Sequence, residues 1–213
     1  MHRTCEPAIL YFGTPVVLIS TVNEDGSYNL APMSSAWWLG WRCLLGLAAS
    51  SLTPQNMLRT RECVLNLPST AEVAAVNRLA KTTGTEAVPA VKQQRGYRFV
   101  HDKFGLARLT PDPSEIVAAP RVRECPVQLE ATVEAVYPLA QDDPERRGRQ
   151  IAFEVRIRCA HIEESILMDG EPNRVDPDKW RPLIMSFQNF YGLAPDQLHR
   201  STLAEIPEAL YRG

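Results

Sequence analysis

Several things are scarce in this 213-residue chain, and each scarcity removes a class of function. There are four histidines, His2, His101, His161 and His199, and none has a partner at metal-ligand spacing. The five cysteines (Cys5, Cys43, Cys63, Cys125 and Cys159) are scattered, odd in number and without a Cys-x-x-Cys pair. That pattern suggests reduced thiols in a cytosolic protein, each acting as a small buried hydrophobe, rather than a disulfide framework or a zinc site. No glycine-rich dinucleotide fingerprint follows a strand, and there is neither a Walker loop nor a nucleophile elbow. The net charge of −2 gives no global attraction to nucleic acid or to an anionic membrane. No apolar run is long enough to span a bilayer. "AILYFGTPVVLIS" near the N-terminus follows Glu6 and Pro7 and is broken by Gly13 and Pro15, unlike a secretory signal.

What is present reads as strands. Apolar residues make up 45% of the chain, enough for a real core, and its length suits one large domain, expected over 1–213. "TPVVLISTV" (14–22) is β-branched and continuously apolar, as expected of a strand buried on both faces. Asp25-Gly26 centres a hairpin turn, and a second extended stretch runs through Leu30 toward Trp38. "RCLLGLAAS" (42–50) and "ECVLNLP" (62–68) are further strands. In "VQLEATVEAVY" (127–137), Val127, Leu129, Ala131, Val133, Ala135 and Tyr137 share one face, while Gln128, Glu130, Thr132 and Glu134 share the other. "QIAFEVRIRCAHI" (150–162) repeats the alternation, with Cys159 and His161 on its apolar face, and a polar hairpin loop joins the two. Helices are expected at 53–61, with Thr53 as N-cap and Pro54 at the first helical position, and at 70–82. Residues 83–114 read as a long irregular loop that covers something or has a function. "DPDKW" (176–180) is a candidate helical turn. Strands in consecutive runs favour an antiparallel barrel with a few short helices over a parallel sheet.

Two stretches carry chemistry. In "ASSLTPQN" (49–56), Ser50, Ser51 and Thr53 surround the first turn of the expected helix, where free N–H groups and the helix dipole favour a phosphate. The plainer reading of the same residues is a well-capped helix. In "NLAPMSSAWW" (29–38), Pro32 cannot donate to a ladder, so the strand lies at an edge or is bulged. Backbone N–H groups from Met33 to Ala36 are then free, and Ser34, Ser35 and Ala36 are small enough for a ligand to lie against the main chain. Trp37, Trp38 and Trp41 either wall a planar ring or bury core and subunit surface. Together the two stretches suit a flat, phosphorylated ligand. His101-Asp102 looks like an acid–base pair, although sequence neighbours usually point apart.

The order and spacing of "TPVVLIST", the Asp-Gly turn, "NLAPMSSAWW", "GLAASSLTPQNMLRTRECVLNLPS", "DKFGLARLTP", "ECPVQLEATVE" and "RPLIMSFQNFYGLAP" resemble the flavin reductase-like family of FMN-binding split barrels, flavoredoxin-like proteins included. The resemblance implies a mainly β fold, a six-stranded antiparallel split barrel with short flanking helices, and a homodimer with FMN at its interface. It implies that Pro32, Met33, Ser34, Ser35 and Ala36 line the isoalloxazine, with backbone N–H groups to its N5 and O4 edge. Ala49, Ser50, Ser51, Leu52, Thr53 and Asn56 would surround the ribityl phosphate, and Lys81 lies where relatives approach the flavin. Many relatives place a Lys or Arg beside the Ser/Thr pair where this chain has Leu52, which leaves Arg59, Lys81, Arg95 or the partner subunit to supply charge. The implied activity is an NAD(P)H-dependent flavin reductase, with NADH or NADPH as co-substrate and a partner monooxygenase or another acceptor downstream. A non-catalytic FMN carrier or sensor, or an FMN enzyme acting on a small organic substrate, would carry the same binding motifs.

Overall fold

The computed structural model describes residues 1–211. Seven strands build its main sheet: β1 (Val17–Val22), β2 (Tyr28–Met33), β3 (Ala36–Leu39), β4 (Arg42–Ala48), β5 (Glu62–Leu67), β6 (Val127–Pro138) and β7 (Gln150–Ile162). Every pairing is antiparallel, in the order β2-β1-β5-β6-β7-β4-β3. The end strands β2 and β3 are separated by only Ser34 and Ser35. The chain therefore leaves one edge of the sheet and at once becomes the other edge, which closes the sheet into a barrel. Counted as one interrupted strand, 28–39 restores the expected six; the seventh arises because pairing breaks at the two serines.

Strand β1 is buried on both faces, as its unbroken apolar run foretold. Val17 and Ile19 join Leu45, Leu65, Val133, Phe153 and Val155 inside the barrel. Val16 and Leu18 face outward onto Val76, Leu79, Phe104 and Ala107. The latter come from α2 (Val73–Leu79) and α4 (Lys103–Ala107). The expected helix at 70–82 is shorter because Ser69 and Glu72 form a capping box on a 3-10 turn at Thr70–Glu72, and Lys81 takes positive φ just beyond the end of α2. The 83–114 stretch is less irregular than expected. It holds α3 (Ala90–Gln94) and α4, and a short parallel pairing of Thr82–Thr83 with Arg98–Phe99. Residues 176–180 do form a turn, with the Trp180 N–H donating to the Asp176 carbonyl at 3.0 Å.

Strands β6 and β7 correct the expected faces. Register shifts fall between Glu130 and Ala131 and between Val133 and Ala135. Each bulge adds a residue to one strand and reverses the alternation beyond it. Val136 therefore packs on the barrel interior and Tyr137 is exposed, its hydroxyl bonded to Glu154 at 2.9 Å. Cys159 and His161 turn to the outer face, beside Glu130.

That outer face is covered by residues 113–122. The carboxylate of Glu130, fully buried, accepts the N–H groups of Glu115 (2.8 Å), Ile116 (2.6 Å) and Val117 (3.2 Å), and contacts His161 Nε2 at 2.7 Å. Ser20 Oγ donates to the Pro120 carbonyl, and Glu62 accepts the Ala118 N–H. Burial alone would raise the Glu130 pKa, but these donors outweigh it and hold the carboxyl below its ordinary value. Cys43, Cys63 and Cys125 are buried as expected of small hydrophobes, whereas Cys5 is exposed and Cys159 lies half-buried beside His161.

A depressed carboxyl pKa contributes stability that is complete above the unfolded-state pKa, about 4.3 for Glu, and is lost as pH falls through the folded value. Glu130→Gln should cost about 2 kcal/mol at pH 7. It should also flatten the loss of stability as pH falls below about 5 in urea denaturation. An unchanged acid slope would show that Glu130 does not anchor this loop through its charge.

Candidate functional site

Pro32 lies in the end strand β2, opposite Leu18 of β1, so the missing N–H costs no ladder bond on the open edge. Beyond it, the Ser35 carbonyl still accepts the Gly46 N–H at 2.8 Å. Neither the Ser34 nor the Ser35 N–H donates to a backbone carbonyl among the described residues. Ala36 sits opposite Leu45, next to that bond, and the alternation of an antiparallel ladder turns its N–H away from β4. Three consecutive amide donors at the split of the barrel thus lack a backbone acceptor among the described residues. Gly46 makes the close approach possible, since a Cβ there would lie 3.3 Å from Ser35 Cβ. Tyr11, from the N-terminal segment, meets Ser35 Oγ through its hydroxyl at 3.0 Å; no sequence pattern marked it. The tryptophans divide. Trp38 packs on the barrel core, while Trp37 is 53% and Trp41 61% exposed.

Helix α1 spans Leu52–Thr60, one residue earlier than expected, and its N-cap is Ser51, not Thr53. The Ser51 side chain makes no capping bond, so the first-turn N–H groups are left open. Thr53 is buried for another reason. Its Oγ1 accepts Asn29 Nδ2 at 3.0 Å, inside a network in which Thr21 Oγ1 also accepts Asn29 (3.2 Å) and Asn56 (3.0 Å). Among the described residues the Thr53 hydroxyl proton has no recorded acceptor. Asn56 has both amide hydrogens occupied, by Thr21 and by Asn23 at 2.8 Å, so it supports the network from behind.

Two lysines escaped the sequence analysis. Lys103, only 3% exposed, donates from Nζ to Asn29 Oδ1 at 2.9 Å, which fixes the Asn29 amide so that its Nδ2 faces Thr21 and Thr53. Lys92, half-buried and 5.9 Å from the Tyr97 ring centre, donates to Ser51 Oγ at 3.1 Å. Burial, with a smaller contribution from Lys92, pulls Lys103 down to about 8; burial lowers Lys92 as well. The only warning of either in sequence was the loop length. Of the expected charge donors, Arg59 is spent on the Val22 carbonyl, at 2.5 Å, while Lys81 and Arg95 are exposed on the following segment.

A well-formed cleft lies elsewhere. It holds about 360 Å³ between Asn23, Asp25, Arg59, Phe99 and His101, and of the expected site residues only Leu52 and Asn56 reach it. His101 and Asp102 do not pair. His101 contacts Asp25 at 3.3 Å, and Asp102 accepts the Gly105 N–H at the start of α4. Asp25 is held at about 2, chiefly by the Ser27 hydroxyl and N–H and then by His101. Past the split, Trp37, Leu39 and Trp41 on β3 and its turn are exposed, Leu39 to 75%.

Residues 9–193 match the model of the flavin reductase-like domain. The chain belongs to the flavin reductase-like family. It is 37% identical over 191 residues to the uncharacterized protein YdfE of Bacillus subtilis, with 90% of this chain and 89% of that one aligned. Among solved structures, flavoredoxin of Desulfovibrio vulgaris superposes with a TM-score of 0.75 at 21% identity, covering 97% of this chain and 100% of its own. Nitrilotriacetate monooxygenase component B from Bacillus cereus gives 0.71 at 21% identity, covering 91% and 89%. Membership makes this an oxidoreductase of the flavoprotein class, and the split barrel is the fold these structures share with it. The residues present fit a flavin: free amide donors at the split, an uncapped helix start, an unspent hydroxyl and two cations nearby. No helix among the described residues is long and apolar enough to cross a membrane.

Gly84 lets its segment pack closely on Leu52 and Asn29. A Cβ there would come within 2.5 Å of Leu52 Cδ2 and 2.9 Å of Asn29 Oδ1. Gly84→Ala should lower stability by about 1–3 kcal/mol in thermal denaturation, and adding Leu52→Ala should restore part of it. If Gly84→Ala is neutral, the packing of this segment on α1 is looser than described.

Proposed function

We propose that the protein is an NAD(P)H-dependent flavin reductase that holds FMN at the split of its barrel. The observation that carries this reading is the row of unspent N–H groups at Ser34, Ser35 and Ala36, in a chain whose next helix begins with open amides and hydroxyls. Bound flavin supplies a ring that accepts hydride from NADH or NADPH and passes electrons on. The protein's part is alignment and electrostatics. Pro32 and Met33 set the edge against which the ring lies, and the N–H groups of Ser34 to Ala36 orient that edge and offset negative charge gathering on it. Ala49, Ser50, Ser51 and Thr53 surround the phosphate, with Thr53 presented by Asn29 and Asn56 from behind. Leu52 packs against the Gly84 segment, and Lys81 stays at the rim.

Trp37, Leu39 and Trp41, on the strand that leaves the split and just past it, form exposed apolar surface. This supports a homodimer in which a second copy covers the ring. The similarity to a monooxygenase component B supports a partner monooxygenase as electron acceptor. Five free thiols and a small net charge suit a reducing, cytosolic setting, with no nucleic acid or membrane partner.

The test is an anaerobic titration of FMN-loaded protein with NADH and then NADPH, followed by flavin absorbance. Rapid bleaching by either is expected. Bound flavin that neither nucleotide reduces would favour the non-catalytic carrier. In the same preparation, Ser51→Ala with Thr53→Ala should weaken FMN binding about tenfold or more; unchanged affinity would remove the phosphate from α1.

A further inference from the structure

A cluster of ligating side chains lies apart from the split and from α1. Glu130 of β6 pairs directly with Cys159 of β7, and the bulge beside that pair puts Cys159 and His161 on the outer face with it. The Glu130 carboxylate, the Cys159 thiol and the His161 imidazole each offer one ligand atom, all within 4.8 Å of one another. His161 Nε2 lies 2.7 Å from Glu130 Oε1 and 3.5 Å from Cys159 Sγ. Hydrogen bonding alone does not satisfy this arrangement, because a ring nitrogen that donates its proton to Glu130 cannot also accept the thiol proton. The other ring nitrogen faces a second carboxylate, with Nδ1 standing 3.9 Å from Glu115 Oε1. Two carboxylates thus meet one thiol and one imidazole. Arg121, from the loop that covers this face, is spent on Asp112, Gln128 and the Pro113 carbonyl.

We infer that Glu130, Cys159 and His161 form a site for a divalent transition metal, Zn²⁺ above all, at the joint between the barrel and the loop 113–122. One sulfur, one nitrogen and one oxygen ligand suit Zn²⁺ and not Mg²⁺ or Ca²⁺. In a tetrahedral zinc site, bonds of about 2.3 Å to sulfur and about 2.0–2.1 Å to nitrogen and oxygen set N···S at about 3.5 Å and N···O at about 3.3 Å. The first spacing is present already, at 3.5 Å, and the second opens from 2.7 Å by a small turn of the imidazole, whose side chain is 19% exposed. On binding, the thiol proton leaves to solvent, and the neutral imidazole carries its one proton on Nδ1, toward Glu115. Glu115 then orients the histidine from behind. Glu130 ligates through Oε1 while Oε2 goes on accepting the Ile116 and Val117 N–H groups, so the ion fastens the covering loop to both long strands. Sequence concealed the set because its members come from two strands, and Cys-x-His on a strand reads as two residues of one face. The inference stands independently of the flavin reading.

The test titrates the full-length protein with Co²⁺ alone, after treatment with a chelator and free of flavin so that flavin absorbance does not intrude. Wild type should develop the intense visible bands of tetrahedral cobalt and a near-ultraviolet sulfur-to-cobalt charge-transfer band, saturating at a single ion per chain, and Zn²⁺ should bleach both by displacement. Cys159→Ala should abolish the charge-transfer band, and His161→Gln should lower Zn²⁺ affinity by at least about tenfold. Glu115→Gln, at an exposed position, should lower it by about tenfold and keep the band. Zn²⁺ should raise the Tm of wild type and leave that of Cys159→Ala unchanged. Glu130→Gln also loosens the loop, so the reading rests on Cys159 and His161, whose substitution leaves the Ile116 and Val117 bonds in place. Absence of a charge-transfer band in wild type would overturn the site. A band that survives Cys159→Ala would overturn it too, placing the ion at another thiol such as the exposed Cys5.

Discussion

Closure of the barrel at Ser34 and Ser35 is the constraint on which the rest of the architecture depends. A sheet that ends in two edges must cover, charge or join them. This chain joins them by running straight from β2 to β3. Because β2 pairs on one side with β1 and β3 on one side with β4, the residues between cannot satisfy both ladders. The unpaired amides at Ser34 to Ala36 are thus a consequence of closing the barrel there. Pro32 removes a donor that would have had no partner, Gly46 lets the opposing strand come near, and the two serines keep bulk away. Topology creates the donors, and small side chains keep them accessible.

A second constraint is polar burial at the foot of α1. Thr21, Asn29, Thr53, Asn56 and Lys103 are buried, and their hydrogen bonds form one connected set. Such a set holds its members in a single arrangement because any rearrangement leaves a buried donor or acceptor unpaired. It links β1, β2, α1 and α4, so the helix start is fixed relative to the barrel split and to the segment behind it. The apolar residues of α4, Phe104 and Ala107, pack under β2 beside Leu30 and anchor the same arrangement from the core side.

Much of this was legible in sequence, and the exceptions have physical causes. Period-two and continuous apolar runs identified the barrel strands, and Pro32 marked the edge. Faces failed on β6 and β7 because a bulge adds one residue without any composition cue strong enough to betray it, so Val136, Tyr137, Cys159 and His161 changed sides. Thr53 resembled an N-cap because threonine beside Pro54 usually is one; its hydroxyl was instead claimed by Asn29, a partner 24 residues away in sequence. Lys92 and Lys103 were invisible for the same reason: a lysine is ordinarily solvated, and only the fold places these two at the foot of α1. The Asn23–His101 cleft was likewise absent from sequence, being assembled from a hairpin turn, a helix flank and a loop.

The central claim is that the ligand's ring lies at the barrel split with its phosphate at the start of α1, and not in the 360 Å³ cleft beside Asp25 and His101. A crystal structure of the protein grown with FMN measures this most directly. The account predicts ring density against the main chain of Ser34 to Ala36, and phosphate density within hydrogen-bonding distance of Ser51 and Thr53. Flavin found in the Asn23–His101 cleft, with the amides at the split facing water, would contradict it.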